Sequence, residues 1–128
     1  MCLTLINTIS RKRAKTDIIC YKVLVWRTTN HSRRLSSPIF QETWNIGEEK
    51  TNTERRWTRY RPAIDNGYYH SYEMLCDARS FEDELGGRGL KAETYKCVIP
   101  QGAYYYKGYH SRVREGYASK KLRIVEKV

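Results

Sequence analysis

The nine residues Ile18-Ile19-Cys20-Tyr21-Lys22-Val23-Leu24-Val25-Trp26 constrain the fold more than any other stretch of the chain. They are rich in β-branched and aromatic side chains and almost continuously apolar. A strand sends alternate side chains to opposite faces, so a run apolar at both parities needs cover on both sides. The run therefore predicts a central strand with packing above and below it. At 128 residues the chain can enclose one such core and is too short for two comfortable domains.

Other elements arrange themselves around that strand. Ser36-Ser37-Pro38 breaks the chain, and beyond it Phe40, Trp44 and Ile46 point one way along a second expected strand that stops at Gly47. Trp57 to Arg61 reads as a third. Ser71 is the expected N-cap of a helix over about 71–85, with Met74, Ala78, Phe81 and Leu85 on one face and Gly86-Gly87 at its end. Glu73, Asp77, Glu82, Asp83 and Glu84 make the rest of it acidic, so it is expected to face away from any phosphate. Tyr95–Ile99, a turn at Gln101-Gly102, Ala103–Lys107 and Lys121–Val128 supply three later strands. The expectation is an α+β domain at residues 17–128, an antiparallel or mixed sheet of five to six strands against one main amphipathic helix. Residues 1–16 are expected as a basic N-terminal arm, and 28–38 and 48–54 as linkers.

The net charge is +10, with 24 Lys and Arg against 14 Asp and Glu. Residues 1–64 hold 13 cations and 5 carboxylates, so that half carries +8. Such a balance implies an acidic partner and salt-dependent binding. Its densest expression is Arg55-Arg56-Trp57-Thr58-Arg59-Tyr60-Arg61, four guanidinium groups and two rings with no carboxylate between them. Guanidinium forks match phosphate oxygens, and aromatic faces stack on bases. Alternation assigns Trp57 to the core side and leaves Tyr60 as the better stacking ring. Arg33 and Arg34 form a second cluster. Arg11, Lys12 and Arg13, with Tyr105 and Lys107, are expected as secondary contacts.

Catalytic and metal chemistry find little support in the spacing. Cys2, Cys20, Cys76 and Cys97 share no short spacing and are expected as reduced thiols, and His31, His70 and His110 are equally scattered. His70 and Ser71 are sequence neighbours whose side chains diverge, which does not suit a nucleophile and its base. The remaining acid–base pairing is His70 with His110. The expectation is a non-enzymatic protein without metal or cofactor. No apolar run approaches the roughly 20 residues of a spanning helix, and the opening lacks a basic leader, so a bacterial cytoplasmic location is expected.

Eleven tyrosines are present, three of them consecutive at Tyr104-Tyr105-Tyr106. On a strand Tyr105 would face away from Tyr104 and Tyr106. Asp17 to Leu24, Ser37-Pro38, Gly67 to Tyr72, and above all Cys97-Val98-Ile99-Pro100-Gln101-Gly102-Ala103-Tyr104-Tyr105-Tyr106-Lys107-Gly108 with Ala118-Ser119 and Leu122 resemble a family of short proteins, without an established activity, found in gut Bacteroidetes and their phages. The resemblance implies a compact α+β domain and a phage or mobile-element setting. Residues 28–36 and 48–63 depart from that pattern and are rich in Arg and Trp, which is where function is expected to have been added. The outline also faintly resembles ADP-ribosyltransferase-like folds, but Glu93 and Glu115 sit in no Glu-x-Glu step. The expected function is counter-defence: binding RNA, or an RNA-loaded host effector, through Arg33, Arg34, Arg55, Arg56, Arg59, Tyr60 and Arg61. The alternatives are a sponge for a cyclic or ADP-ribose-type nucleotide, most naturally in a cleft between subunits of an oligomer, and a protein-only inhibitor of an acidic host target.

Overall fold

The computed structural model describes residues 11–29, 32–37, 43–51, 68–110 and 114–128. In chain order the elements are β1 (Lys12–Arg13), β2 (Ile18–Thr29), β3 (Ser32–Ser36), β4 (Glu49–Thr51), β5 (Tyr69–Tyr72), α1 (Leu75–Gly87), β6 (Ala92–Ile99), β7 (Tyr104–Tyr109), β8 (Glu115–Ser119) and β9 (Lys121–Lys127). The strands form one antiparallel sheet in the order β1-β7-β8-β5-β2-β6-β9-β4, with β3 added beside β2. The fold is a single α+β domain. Among the described residues its sheet has nine strands, more than the five to six expected, because β1, β3, β4, β5 and β8, none of them expected as strands, join it.

The central-strand expectation holds. Cys20 and Leu24 enter one core with Tyr95, Cys97, Ile99, Leu122 and Ile124, while Val23 and Val25 enter a second with Tyr72, Ala78, Phe81 and Leu85. The first core lies on the inner face of the sheet, and the second lies under α1. β2 pairs with β6 along Ile18–Val25 and with β3 along Val25–Thr29. Residues 28–38 therefore contain a strand rather than only a linker: in Ser-Arg-Arg-Leu-Ser the backbone pairing and the burial of Leu35 outweigh a polar composition. Glu49–Thr51 likewise pairs with β9 inside the other expected linker.

Three expectations for the helix are corrected. Ser71 lies in β5, paired with Tyr117 of β8, and all four residues of β5 are buried, so sheet pairing prevails over capping there. The helix starts at Leu75 behind Met74, which offers no side-chain cap and is 51% exposed rather than part of the apolar face. It also continues through Gly86 and Gly87. Gly89, with φ of 81°, makes the reversal, and Leu90 N–H closes onto the Leu85 carbonyl. Ala78, Phe81 and Leu85 are buried as their spacing predicts.

Of the second expected strand, Phe40 lies outside the described residues, and Trp44 to Ile46 form no strand. Trp44 is buried, whereas Ile46 is 62% exposed, because the chain turns at Asn45–Glu48. Glu48 Oε2 accepts from the Asn45 backbone N–H and amide, and Gly47 takes φ of 85°. The turn at Gln101-Gly102 is present, with Gly102 at φ of 87° and Ala103 N–H bonded to the Pro100 carbonyl. The basic stretch expected as an arm is tied to this corner: Lys12 and Arg13 pair with β7, and buried Ala14 exchanges backbone bonds with Gly102 and Ala103. The expected strand at Trp57–Arg61 lies outside the described residues. Among the described residues no helix is long and apolar enough to cross a membrane.

Candidate phosphate-binding cleft

Cross-strand register between β2 and β3 places Arg33 opposite Thr28 and Arg34 opposite Arg27. Adjacent strand residues face opposite sides. Arg33 thus shares a face with Trp26 and sets its guanidinium 5.0 Å from the centre of that ring, the distance of a cation–π contact. Trp26 is itself fixed, since its Nε1–H donates to Glu93 Oε1 at 2.9 Å. Glu93 also accepts from the Tyr95 hydroxyl at 2.9 Å and meets Lys127 at 3.4 Å. Burial alone would raise the Glu93 carboxyl, but the bonds from Tyr95, Trp26 and Lys127 bring it below its ordinary value, so it is held as an anion.

Trp44 forms the second wall. Its backbone N–H bonds the Leu35 carbonyl, its Nε1–H donates to Ser37 Oγ at 3.0 Å, and its ring meets Tyr69 edge-on at 5.2 Å. Lys50 of β4 lies 4.8 Å from the ring centre, anchored by its bond to the Thr43 carbonyl. Lys22, on the inner face of β2, lies 5.9 Å from the same ring and donates to the His70 carbonyl at 2.7 Å. Between these walls runs a cleft of about 470 Å³ lined by Trp26, Arg33, Arg34, Trp44, Ile46 and Lys50 among others. Three cations and two indoles meet there around Glu48 as the lining carboxylate. Such a site suits a ligand with phosphates and a flat ring.

The sequence-based candidates divide. Arg33 and Arg34 are exposed and both line the cleft, though they leave β3 on opposite sides. Arg55, Arg56, Arg59, Tyr60 and Arg61, with Trp57, lie outside the described residues. Arg11, Lys12 and Arg13 are exposed around β1, at the opposite end of the strand order from β4. Tyr105 is half-buried against the inner core and packs edge-on to Tyr117 at 5.8 Å. Lys107 is met by Glu73 at 3.3 Å, and the Glu73 carboxyl is raised chiefly by its hydrogen bond with Glu115. Nothing in the sequence around Trp26, Trp44 or Lys50 marks them as ligand contacts. Trp26 ends an apolar run and reads as core, and nothing local links Lys50 to Trp44.

The fold does bring His70 and His110 together, with ring centres 5.3 Å apart. His110 Nε2–H donates to the Ser71 carbonyl at 2.7 Å, and Tyr72 closes over the ring at 5.0 Å. Burial lowers the His110 imidazole to about 4, so it is neutral at pH 7. Among the described residues no three His, Cys, Asp or Glu side chains gather as a metal site would require, and Cys20, Cys76 and Cys97 are free thiols. No protein family, curated protein or solved structure matches the chain.

Proposed function

We propose that this protein is a non-enzymatic RNA binder that acts in counter-defence, engaging RNA or an RNA-loaded host effector. The observation that carries the chemistry is the cleft in which Arg33 caps Trp26 and Lys50 caps Trp44. A guanidinium stacked on an indole, as Arg33 is on Trp26, keeps its outer N–H groups directed along its edge, where a phosphate can meet them. A nucleotide ring entering beside them meets a guanidinium plane, which stacks on bases. The phage setting rests on the resemblance of the Cys97–Gly108 region. The run at Arg55–Arg61, which lies outside the described residues, supplies four more guanidinium groups of the kind that bind phosphate.

Short labelled RNA titrated at several salt concentrations tests this reading. Affinity should fall steeply with salt, and each phosphate contact removed should reduce the slope of log K against log salt by about 1. Arg33→Ala with Arg34→Ala should weaken binding across sequences while leaving the melting temperature unchanged, as should replacing Arg55, Arg56, Arg59 and Arg61 together. Parental affinity in both variants would remove the proposal.

The size of the cleft favours a second reading. A volume of about 470 Å³ falls within the roughly 300–1,000 Å³ of small-molecule sites, so a cyclic or ADP-ribose-type nucleotide could be sequestered there. Such a ligand would raise the melting temperature by mass action with little salt dependence.

A further inference from the structure

The helix covers only part of its face of the sheet. α1 packs against β2, β6 and β5. The register continues that face outward: Tyr72 opposes Gly116, Ala118 opposes Tyr106, and Arg13 opposes Tyr104. Over β8, β7 and β1 the cover is therefore aromatic and cationic. Tyr106 meets Tyr68 edge-on at 5.5 Å above Ala118. Lys120 lies 4.8 Å from the Tyr68 ring, and Arg11 lies beside the Tyr68 hydroxyl. Arg11 and Arg13 approach the Tyr104 ring at 4.4 and 5.9 Å, and Tyr104 is 42% exposed. Arg13 Nε–H donates to the Gly102 carbonyl at 3.2 Å.

Two features separate this patch from an ordinary solvated edge. Among the described residues, no ion pair involves Arg11, Lys12 or Arg13. Two guanidinium groups are nonetheless held at one ring, where they repel each other, and folding gains little from an exposed contact of that kind. The rings are also spaced along one sheet face, as in single-stranded RNA recognition on sheets, where bases stack on aromatic rings or Arg planes.

We infer that the face of β1, β7 and β8 built from Arg11, Arg13, Tyr68, Tyr104 and Lys120 is a second contact surface for single-stranded RNA. It is separate from the cleft at Trp26 and Trp44, which opens on the inner face. Tyr104 and Arg11 stack a base, and Arg13 and Lys120 take the flanking phosphates. The inference rests on the reading of the protein as an RNA binder and adds a surface to it.

A labelled oligouridylate, titrated by anisotropy against the full chain at several salt concentrations, provides the test. Tyr104→Ala should weaken binding about 5- to 100-fold at an unchanged melting temperature, and Tyr104→Phe should restore it. Arg11→Gln with Arg13→Gln should weaken binding and reduce the salt slope by about 1, the share of the Arg13 phosphate contact. If Tyr104→Ala lowers the melting temperature, the Gln pair decides the matter, since it removes charge from exposed side chains. Parental affinity and slope in that pair overturn this surface, whatever Arg33→Ala does. Weakening in the pair combined with no effect of Arg33→Ala overturns the cleft and keeps the surface. A parent protein that does not bind the oligouridylate overturns both.

Discussion

His110 packs against the backbone of Gly116, so closely that a Cβ at position 116 would sit 2.1 Å from His110 Cδ2 and 2.5 Å from the Ser71 carbonyl oxygen. The glycine is needed for space, since its φ is not in the left-handed region. Its absent side chain lets the imidazole fill the gap between His70 and Tyr72 and satisfy the Ser71 carbonyl. Gly116→Ala should cost about 1–3 kcal/mol or more, because the obstructing oxygen belongs to paired backbone and cannot swing aside. Urea denaturation checks this, and an unchanged midpoint would contradict the packing described.

Stability should depend on pH through the same ring. Burial lowers His110 to about 4 in the folded protein from the ordinary 6.5. The unfolded chain therefore binds more protons between those values, and stability rises with pH across that window. His110 contributes its full share above about pH 6.5 and loses it as pH falls toward 4, on the order of 3 kcal/mol in all. Glu73, raised mainly by its hydrogen bond with Glu115, acts in the opposite sense in the carboxylate range. Urea midpoints at pH 7.5 and 5 for the parent and His110→Gln isolate the imidazole: the variant should show the flatter profile.

Trp44 and Arg33 should separate stability from binding. Trp44 is 2% exposed in the inner core, so Trp44→Ala should destabilise by about 3–5 kcal/mol. Arg33 is exposed, and Arg33→Ala should stay within about 0.5 kcal/mol. Paired melting and RNA-binding curves check both, and a Trp44→Ala protein with parental melting would place that ring outside the core.

Glu93 should behave as a positioning residue for the cleft. Glu93→Ala leaves the Trp26 Nε1–H and the Tyr95 hydroxyl without their shared acceptor, which should cost about 1–3 kcal/mol of stability. It should also weaken ligand binding by freeing the Trp26 wall. Glu93→Gln keeps one acceptor oxygen and should recover part of both losses. Equal binding in the parent and the Ala variant would show that the orientation of Trp26 does not matter to the ligand.

Where a segment's own pattern matched its burial, the sequence determined the outcome. Ile18–Trp26 is apolar at both parities and becomes the strand with a core on each face, and Ala78, Phe81 and Leu85 recur at helical spacing and pack beneath α1. Gln101-Gly102 turns because glycine tolerates the positive φ required there. The short strands at Lys12–Arg13, Ser32–Ser36, Glu49–Thr51 and Tyr69–Tyr72 were decided by tertiary structure. Their residues are polar or ambiguous, and they extend because a neighbouring strand offers backbone partners at the right register. The same long-range pairing moved Ser71 from a helix cap into the sheet and brought His110 over Gly116. It also set Arg33 on Trp26 and Lys50 on Trp44. The cationic residue types were legible in the chain, but the indoles they rest on were not, because a contact between side chains on different strands has no local period for a sequence to display.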